Sequence, residues 1–201
     1  MHNMKKGFTL IELLAAVLVI GVLSSIAVPQ YQRSIERARM TEGIQMLPAI
    51  YDSVQRWQAE NPEASSLPSW NLLDVSMKGK PGPAYNWNGQ DNPVWLTPNF
   101  AYMIHVPPPT SNKPEVVMAT VRKGKYRGNG FVYMPYGTER GGRVGDAHVY
   151  CMPTLLTAVP NNGCDFMGYR SEDSSQINIF EALTEFSYWM SAVYHGLYDA
   201  M

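Results

Sequence analysis

The chain has few charges, and neither sign of charge dominates. Its 201 residues carry 16 Lys and Arg against 17 Asp and Glu, which gives a formal net charge of −1 at pH 7. A chain without a strong positive field does not attract nucleic acid through its overall charge. Residues 127–132 only partly match an RNA-recognition pattern, because the third position lacks an aromatic residue. We therefore expect no nucleic-acid partner.

Signatures of catalysis and of metal binding are also missing. The four histidines are far apart in the sequence: His2, His105, His148 and His195. Neither a G-x-S-x-G nucleophile motif nor an H-E-x-x-H metal motif occurs. A zinc site built from His148, Cys151 and Cys164 would lack a clear fourth ligand. The sequence predicts a protein that is not an enzyme and that holds no metal or cofactor.

One long apolar run is present near the N-terminus. Residues Phe8–Val28 are almost wholly apolar, and as a helix these 21 residues would rise about 31 Å, the thickness of the hydrocarbon core of a bilayer. Glu12 lies inside this run, where a charge costs about 2.5 to 3.5 kcal/mol at the helix centre and less near its end. Because a plain membrane anchor has no use for this carboxylate, Glu12 is a candidate functional residue.

The residues around Glu12 form a specific motif. Lys5 and Lys6 precede Gly7, and Glu12 is the fifth residue counted from Phe8. This arrangement closely resembles the class III signal of type IV prepilins and pseudopilins. The resemblance implies cleavage between Gly7 and Phe8 by a prepilin peptidase, followed by N-methylation of Phe8. It also implies that Glu12 pairs with the N-terminal amine of an adjacent subunit during filament assembly.

The same resemblance implies partners and a location. The partners would be further copies of the chain and other pilins in a helical filament, a prepilin peptidase and methyltransferase, and an assembly platform in the inner membrane. The chain would begin as a single-pass inner-membrane precursor and end in a cell-surface pilus or a periplasmic pseudopilus. We therefore predict a structural subunit of a type IV pilus, with a type II secretion pseudopilin as the alternative.

Two alternatives for the N-terminus follow from the residues themselves. An ordinary signal peptide could end at Ala27, which would release a soluble secreted binding domain. Alternatively, Glu12 could reach the headgroups from its place near the helix end without any role in assembly. An ordinary signal peptide has no use for an acidic residue at this position, whereas a residue so close to the helix end can both reach the headgroups and act in assembly.

The remaining chain predicts an α+β fold. In this fold, a long N-terminal helix continues from a transmembrane stem into a globular head and packs on an antiparallel β-meander, and a C-terminal amphipathic helix follows. The expected segments are a leader at 1–7, a stem at 8–29, an amphipathic half of the same helix at 30–60, a connecting loop at 61–99, a sheet at 100–175 and a helix at 176–201.

Local signals define these segments. Apolar residues spaced by three and four extend the helix beyond residue 30, Pro29 and Pro48 should kink it, and Asn61 and Pro62 should end it. The connecting loop, 61–99, should contain short helical or strand pieces. Four runs predict strands, and turn residues separate them: Phe100–Val106, Glu115–Arg122, Asn129–Tyr136 and Ala147–Met152.

The last third of the chain carries two further predictions. Cys151 and Cys164 are the only cysteines, and in an exported domain such a close pair predicts a disulfide that closes the 151–164 loop. Apolar residues from Ile179 to Leu197 recur at spacings of four and three, which predicts an amphipathic helix over 176–198. This helix should pack on its own sheet or serve an interface with a neighbouring subunit.

Overall fold

The computed structural model describes residues 8–64, 67–87, 90–106, 115–134, 148–152 and 163–168. The chain divides into two compact units, Met1–Ala38 and Arg39–Met201, called here the stem unit and the head unit. The predicted leader at 1–7 and the predicted C-terminal helix at 176–201 lie outside the described residues.

A single helix, α1, occupies Leu10–Glu60. It continues through Pro29 and Pro48, and the kinks expected at these two residues remain predictions. The helix ends directly before Asn61 and Pro62, as predicted. The Asn61 backbone N–H donates to the Trp57 carbonyl at 3.0 Å and its side-chain amide donates to the same carbonyl at 2.9 Å, so Asn61 satisfies one of the free carbonyls at the helix end.

The head unit contains a six-stranded antiparallel sheet in the order β1-β4-β5-β6-β7-β8 and a separate two-stranded hairpin, β2-β3. The strands are β1 (Lys80–Pro81), β2 (Tyr85–Trp87), β3 (Gln90–Asn92), β4 (Val94–Leu96), β5 (Phe100–His105), β6 (Val116–Val121), β7 (Gly130–Met134) and β8 (His148–Met152). A 3-10 turn at Trp70–Leu72 and the short helix α2 at Gly163–Met167 complete the described elements. The predicted α+β class and the meander from β5 to β8 are confirmed.

The sheet begins earlier than the sequence predicted. Short strand pieces were expected in the 61–99 segment, but two of them, β1 and β4, belong to the main sheet, which therefore begins at Lys80 and not at residue 100. β4 pairs with β5 from Val94 opposite Met103 to Leu96 opposite Ala101. A strand of three residues is too short to show an alternating pattern, which explains why the sequence signal missed it.

The core of the head unit lies between one side of α1 and one face of the sheet. Leu47, Ile50 and Val54 are at most 1% exposed, and they face the sheet from the part of α1 where the apolar spacing predicted a buried side. The largest side chains that meet them from the sheet are Phe100, Tyr102 and Phe131. The second half of α1 is therefore the spine of the head, as the amphipathic pattern predicted.

A glycine of α1 makes room for the Phe100 ring. A Cβ atom added at Gly43 would overlap three carbons of the Phe100 ring. We expect Gly43→Ala to lower the free energy of unfolding by about 1 to 3 kcal/mol, because overpacking moves a buried ring. Urea denaturation of the full chain in detergent measures this change. Gly21→Ala is the matched control, since no atom lies within 4 Å of the added Cβ, and an equal loss in both variants would contradict the packing argument.

An ion pair joins α1 to the segment that follows the 3-10 turn. The Arg56 guanidinium donates two hydrogen bonds to the Asp74 carboxylate, both at 2.8 Å, and the Asp74 N–H donates to the Ser53 hydroxyl at 3.0 Å. Hydrogen bonds from Arg56, and then the contact with Ser53, lower the pKa of Asp74 to about 2. Both charged side chains are more than half exposed, so the pair contributes little to stability.

The pH dependence of this small contribution has a definite sign. Because folding lowers the pKa of Asp74, its contribution is present above the ordinary value of 3.8 and is lost as pH falls towards about 2. We expect the stability difference between wild type and Asp74→Asn to be constant near neutral pH and to disappear over that acid range. Chemical denaturation at a series of pH values measures it. Glu63→Gln, a surface change of equal charge, is the control variant.

Candidate assembly site

The first turn of α1 is closed by two side chains, Thr9 and Glu12. The Thr9 carbonyl accepts the first helical hydrogen bond, from the Leu13 N–H at 3.2 Å, which makes Thr9 the N-cap residue. The Glu12 N–H donates to the Thr9 hydroxyl at 3.3 Å, and the Thr9 N–H donates to the Glu12 carboxylate at 2.8 Å. These reciprocal bonds form a capping box, which contributes about 1 kcal/mol to helix stability.

Sequence reasoning singled out Glu12 but missed Thr9. The signal was present, because Thr9 and Glu12 are separated by two residues in the S/T-x-x-E pattern of a capping box, directly before an apolar run. The structure thus gives the carboxylate a local role at the helix N-terminus, where the positive end of the helix dipole also favours a negative charge.

Both hydrogen bonds from Thr9 go to the same oxygen of the Glu12 carboxylate. The Thr9 N–H and the Thr9 hydroxyl both donate to Oε2, at 2.8 and 2.7 Å. Among the described residues, Oε1 receives no hydrogen bond, so this oxygen is available to a further donor. An ammonium group is the donor that a carboxylate in an apolar medium favours most, because it neutralises the charge.

Both members of the capping box lie on the C-terminal side of the predicted cleavage point. The Thr9 N–H belongs to the peptide bond between Phe8 and Thr9, which cleavage after Gly7 would leave intact. Gly7 itself lies outside the described residues, and Phe8 is 87% exposed. A chain that begins at Phe8 would therefore keep the box and place a free amine one residue before it.

The rest of the stem unit presents an exposed apolar surface. Large side chains along Phe8–Val28 are each more than half exposed, among them Leu10 at 77% and Leu18 at 70%. By length and composition α1 qualifies as a membrane-spanning helix near the N-terminus, and none of its most apolar window is buried within the chain. Full burial of a side chain such as Leu or Val is favoured by about 1.5 to 3 kcal/mol over its exposure to water. Contact of this surface with lipid or with other stems is therefore favoured over contact with water.

Comparison with known proteins finds matches to the N-terminal part of the chain. Residues 2–28 match the family described as the prokaryotic N-terminal methylation motif. A stretch of 86 residues is 34% identical to the type IV major fimbrial protein FimA of Dichelobacter nodosus and covers 41% of this chain and 52% of that protein. Another FimA of the same organism is 50% identical over 78 residues, which cover 37% of this chain and 50% of that protein.

Over these parts of its sequence the chain is similar to type IV pilins. A further relative, named fimbrial protein, comes from the same organism and is 33% identical over 84 residues, which cover 40% of this chain and 51% of that protein. The chain spans about half the length of the curated relatives it matches. No solved structure matches it.

The head unit contains the predicted disulfide. Cys151 of β8 and Cys164 of α2 are bonded, their Cα atoms are 5.5 Å apart, and both residues are buried. A buried amide supports the same junction, because Asn129 accepts a hydrogen bond from the Gly163 N–H at 3.1 Å and donates one to the Tyr126 carbonyl at 2.9 Å. The disulfide therefore fixes α2 to β8, and the hydrogen bond from Gly163 to Asn129 holds α2 beside the turn between β6 and β7.

Among the remaining candidate residues, the structure describes the side chain of His105. His105 is buried in β5, where its Nδ1 lies 2.9 Å from the Asn92 Oδ1, and this contact joins β5 of the main sheet to β3 of the hairpin. The side chain of His148 and the whole of His195 lie outside the described residues. Within the part of the chain that the structure describes, no three metal-binding side chains cluster.

Proposed function

We propose that the protein is a structural subunit of a type IV pilus. It is cleaved after Gly7, methylated on the new N-terminal Phe8 and polymerised through its apolar stem. The exposed apolar surface of Phe8–Val28, which begins with a carboxylate held in a capping box, is the observation that carries this proposal. The matches to the methylation motif and to fimbrial proteins support it.

In the proposed mechanism, the apolar side chains of the stem are covered in two successive environments. Lipid covers the apolar side chains while the subunit is stored in the inner membrane, and the stems of neighbouring subunits cover them in the filament. Transfer from lipid to filament therefore exposes little apolar surface to water. The hydrophobic effect stabilises both states but does not select one axial position between neighbouring stems, because apolar contact is non-directional.

Glu12 selects the axial position between neighbouring stems that apolar packing alone does not select. Its Oε2 is engaged by Thr9, so its orientation is fixed, and Oε1 is left for the methylated amine of a neighbouring Phe8. An unpaired charge in this medium costs several kcal/mol, so only the axial offset that joins amine and carboxylate is favourable. The partners in this scheme are further copies of the chain, other pilins, the prepilin peptidase and methyltransferase, and an inner-membrane assembly platform.

The alternative within the same family is a type II secretion pseudopilin, whose filament would remain in the periplasm. Major pseudopilins often carry acidic calcium-binding loops and lack a disulfide of this kind, whereas this head holds the Cys151–Cys164 bond. The fimbrial names of the relatives also favour a surface pilus. The names of these relatives likewise support a structural protein over an enzyme.

Mass spectrometry of the N-terminus tests the proposal. The chain is isolated from membranes and from filaments sheared off the cell surface, and its first residue is identified. An N-methylated Phe8 in both fractions is the expected result. A soluble chain that begins at Val28 would overturn the proposal and indicate a secreted domain. A methylated Phe8 in membranes with no chain in the sheared fraction would instead favour the pseudopilin.

A further inference from the structure

The second half of α1 and strand β6 run in opposite directions, and this defines two ends of the head unit. Gly43 of α1 lies against Phe100, which pairs with Val121 at the end of β6. Further along the helix, Gln55 donates a hydrogen bond at 2.7 Å to Glu115, the residue directly before β6. The end of α1 and the turn between β6 and β7 therefore lie at opposite ends of the head.

These two ends are well separated. The helix rises about 26 Å from Gly43 to Glu60, its last residue. The six residues of β6 span about 20 Å in the opposite direction. A side chain in the turn between β6 and β7 therefore cannot reach the end of α1 in the same copy.

The turn between β6 and β7 carries two exposed lysines, Lys123 and Lys125, called here the basic turn. Within the described part of the chain, neither lysine forms an ion pair. Two carboxylates on neighbouring elements are engaged elsewhere. The Glu42 carboxylate lies 3.5 Å from the side-chain amide of Asn99, and Asp165 of α2 also has an interaction within the chain. The two ammonium groups are thus available to an acidic partner.

The end of α1 has the opposite charge. Glu60 and Glu63 are both exposed, and they are called here the acidic end. No basic residue lies in the last turn of α1, although the partial negative charge of a helix C-terminus favours cations there. Arg56, one turn earlier, donates its two hydrogen bonds to Asp74. As far as the structure describes the chain, neither Glu60 nor Glu63 has an ion-pair partner.

We propose that the basic turn of one subunit contacts the acidic end of a neighbouring copy in the filament. The two surfaces match in charge, and the lysines would supply the cations that the end of α1 lacks. Because the surfaces are different and lie at opposite ends of the head, the contact is heterologous. Each copy can therefore use its basic turn for one neighbour and its acidic end for another, as an open filament requires.

This contact would orient the heads and contribute little affinity. Ion pairs between exposed side chains are weak and are screened by salt, whereas complementary charges across an interface fix register and exclude wrong partners. The inference rests on the proposed filament function. It adds a contact between heads to the pairing of Glu12 in the stem.

Carbodiimide treatment of sheared wild-type filaments tests the inference, because this reagent joins an amine directly to a carboxylate that it contacts. The expected product is an amide between a peptide with Lys123 or Lys125 and a peptide with Glu60 or Glu63. It should occur in a species of twice the subunit mass, since the two ends are about 26 Å apart within one chain. Filaments without this crosslink would overturn the inference alone. Absence of wild-type filaments would overturn the filament function on which it rests.

Exchange of the charges provides a second measurement. Glu60→Lys combined with Glu63→Lys places like charges at the contact, and so does Lys123→Glu combined with Lys125→Glu. Each pair of changes should lower the amount of sheared filaments roughly fivefold or more. The variant with all four changes restores opposite charges and should recover most of the wild-type amount. Failure to recover would contradict the inference, because the loss would not then come from charge pairing.

Lys78→Glu combined with Lys80→Glu is the matched control. Lys78 and Lys80 are also exposed, and Lys80 lies on β1, three strands from β6 in the sheet. This variant makes the same change in net charge away from the basic turn, so its filament level should equal that of wild type. An equal loss in this variant would mean that net charge and not the contact controls assembly. Immunoblots of the membrane pool verify that each variant is produced.

Nucleic acid is the other partner that a basic turn could bind, and filaments test this outcome directly. Duplex DNA retained by wild-type filaments would be released by Lys123→Glu with Lys125→Glu if the turn bound nucleic acid. Such a result, with an unchanged filament level, would overturn the inference and assign the basic turn to a partner outside the filament.

Discussion

Glu12→Gln should abolish surface filaments while the membrane pool of the protein persists. The amide can still accept a hydrogen bond from the Thr9 N–H, so the capping box remains largely formed, but the negative charge is gone. Without that charge the methylated amine of the neighbouring Phe8 would stay unpaired in an apolar medium, at a cost of about 3 to 5 kcal/mol per contact. We therefore expect sheared filaments to fall at least about a hundredfold by immunoblot, since each 1.4 kcal/mol is a factor of ten.

Thr9→Val is the matched variant that separates charge from capping. It removes the hydroxyl that donates to the Glu12 carboxylate and accepts from the Glu12 N–H, but it keeps the carboxylate. The loss of such a cap costs about 1 kcal/mol. We expect this variant to assemble at a reduced level. If Thr9→Val removed filaments as completely as Glu12→Gln, the role of the carboxylate would be to cap the helix, and the pairing proposal would be wrong.

Removal of the disulfide should produce the largest loss of head stability. The bond joins residues that are 13 apart in sequence, and closure of a loop of this size contributes about 3 kcal/mol in the chain-entropy model. We expect the double variant Cys151→Ala and Cys164→Ala to unfold at a clearly lower urea concentration than wild type. Tryptophan fluorescence of the full chain in detergent measures the transition.

Reductant provides the control for this prediction. Wild type treated with dithiothreitol under unfolding conditions should reach the same lowered midpoint as the double variant, and the double variant itself should not respond. A shared midpoint for the double variant and oxidised wild type would show that the buried contacts around α2 hold this junction without the bond. The Asn129 bridge to Gly163 and the stacking of Tyr126 on Phe166, with ring centroids 4.7 Å apart, are the contacts in question.

The sequence predicted the elements whose signal is local and strong. An almost wholly apolar span of 21 residues, the Asn61-Pro62 pair after the helix end and the β-branched run at Val116–Val121 each identify their structure without reference to other parts of the chain. The bounds of α1 and the meander from β5 to β8 were accessible for this reason. The Cys151–Cys164 pairing was accessible because the chain contains no other cysteine.

What the sequence missed depends on contacts between distant residues. β4 has three residues and is a strand only because β5 offers it a partner, and Gly43 is required only because Phe100 lies against it. No local pattern contains either fact. Thr9 is a different case. The S/T-x-x-E pattern that identifies it as a capping residue is present in the sequence, but Glu12 drew the interpretation as an acidic residue in an apolar run.

The contact between α1 and the last described helix bears on the order in which the head folds. Met40, at the start of the head core, has its methyl group 2.9 Å from the position of a Cβ at Gly163, near the end of the described chain. The first and last parts of the core therefore meet, and contacts between such distant residues form late, because a long loop must close before they contribute. A chain cut short before α2 would therefore lack the contact that closes the core of the head.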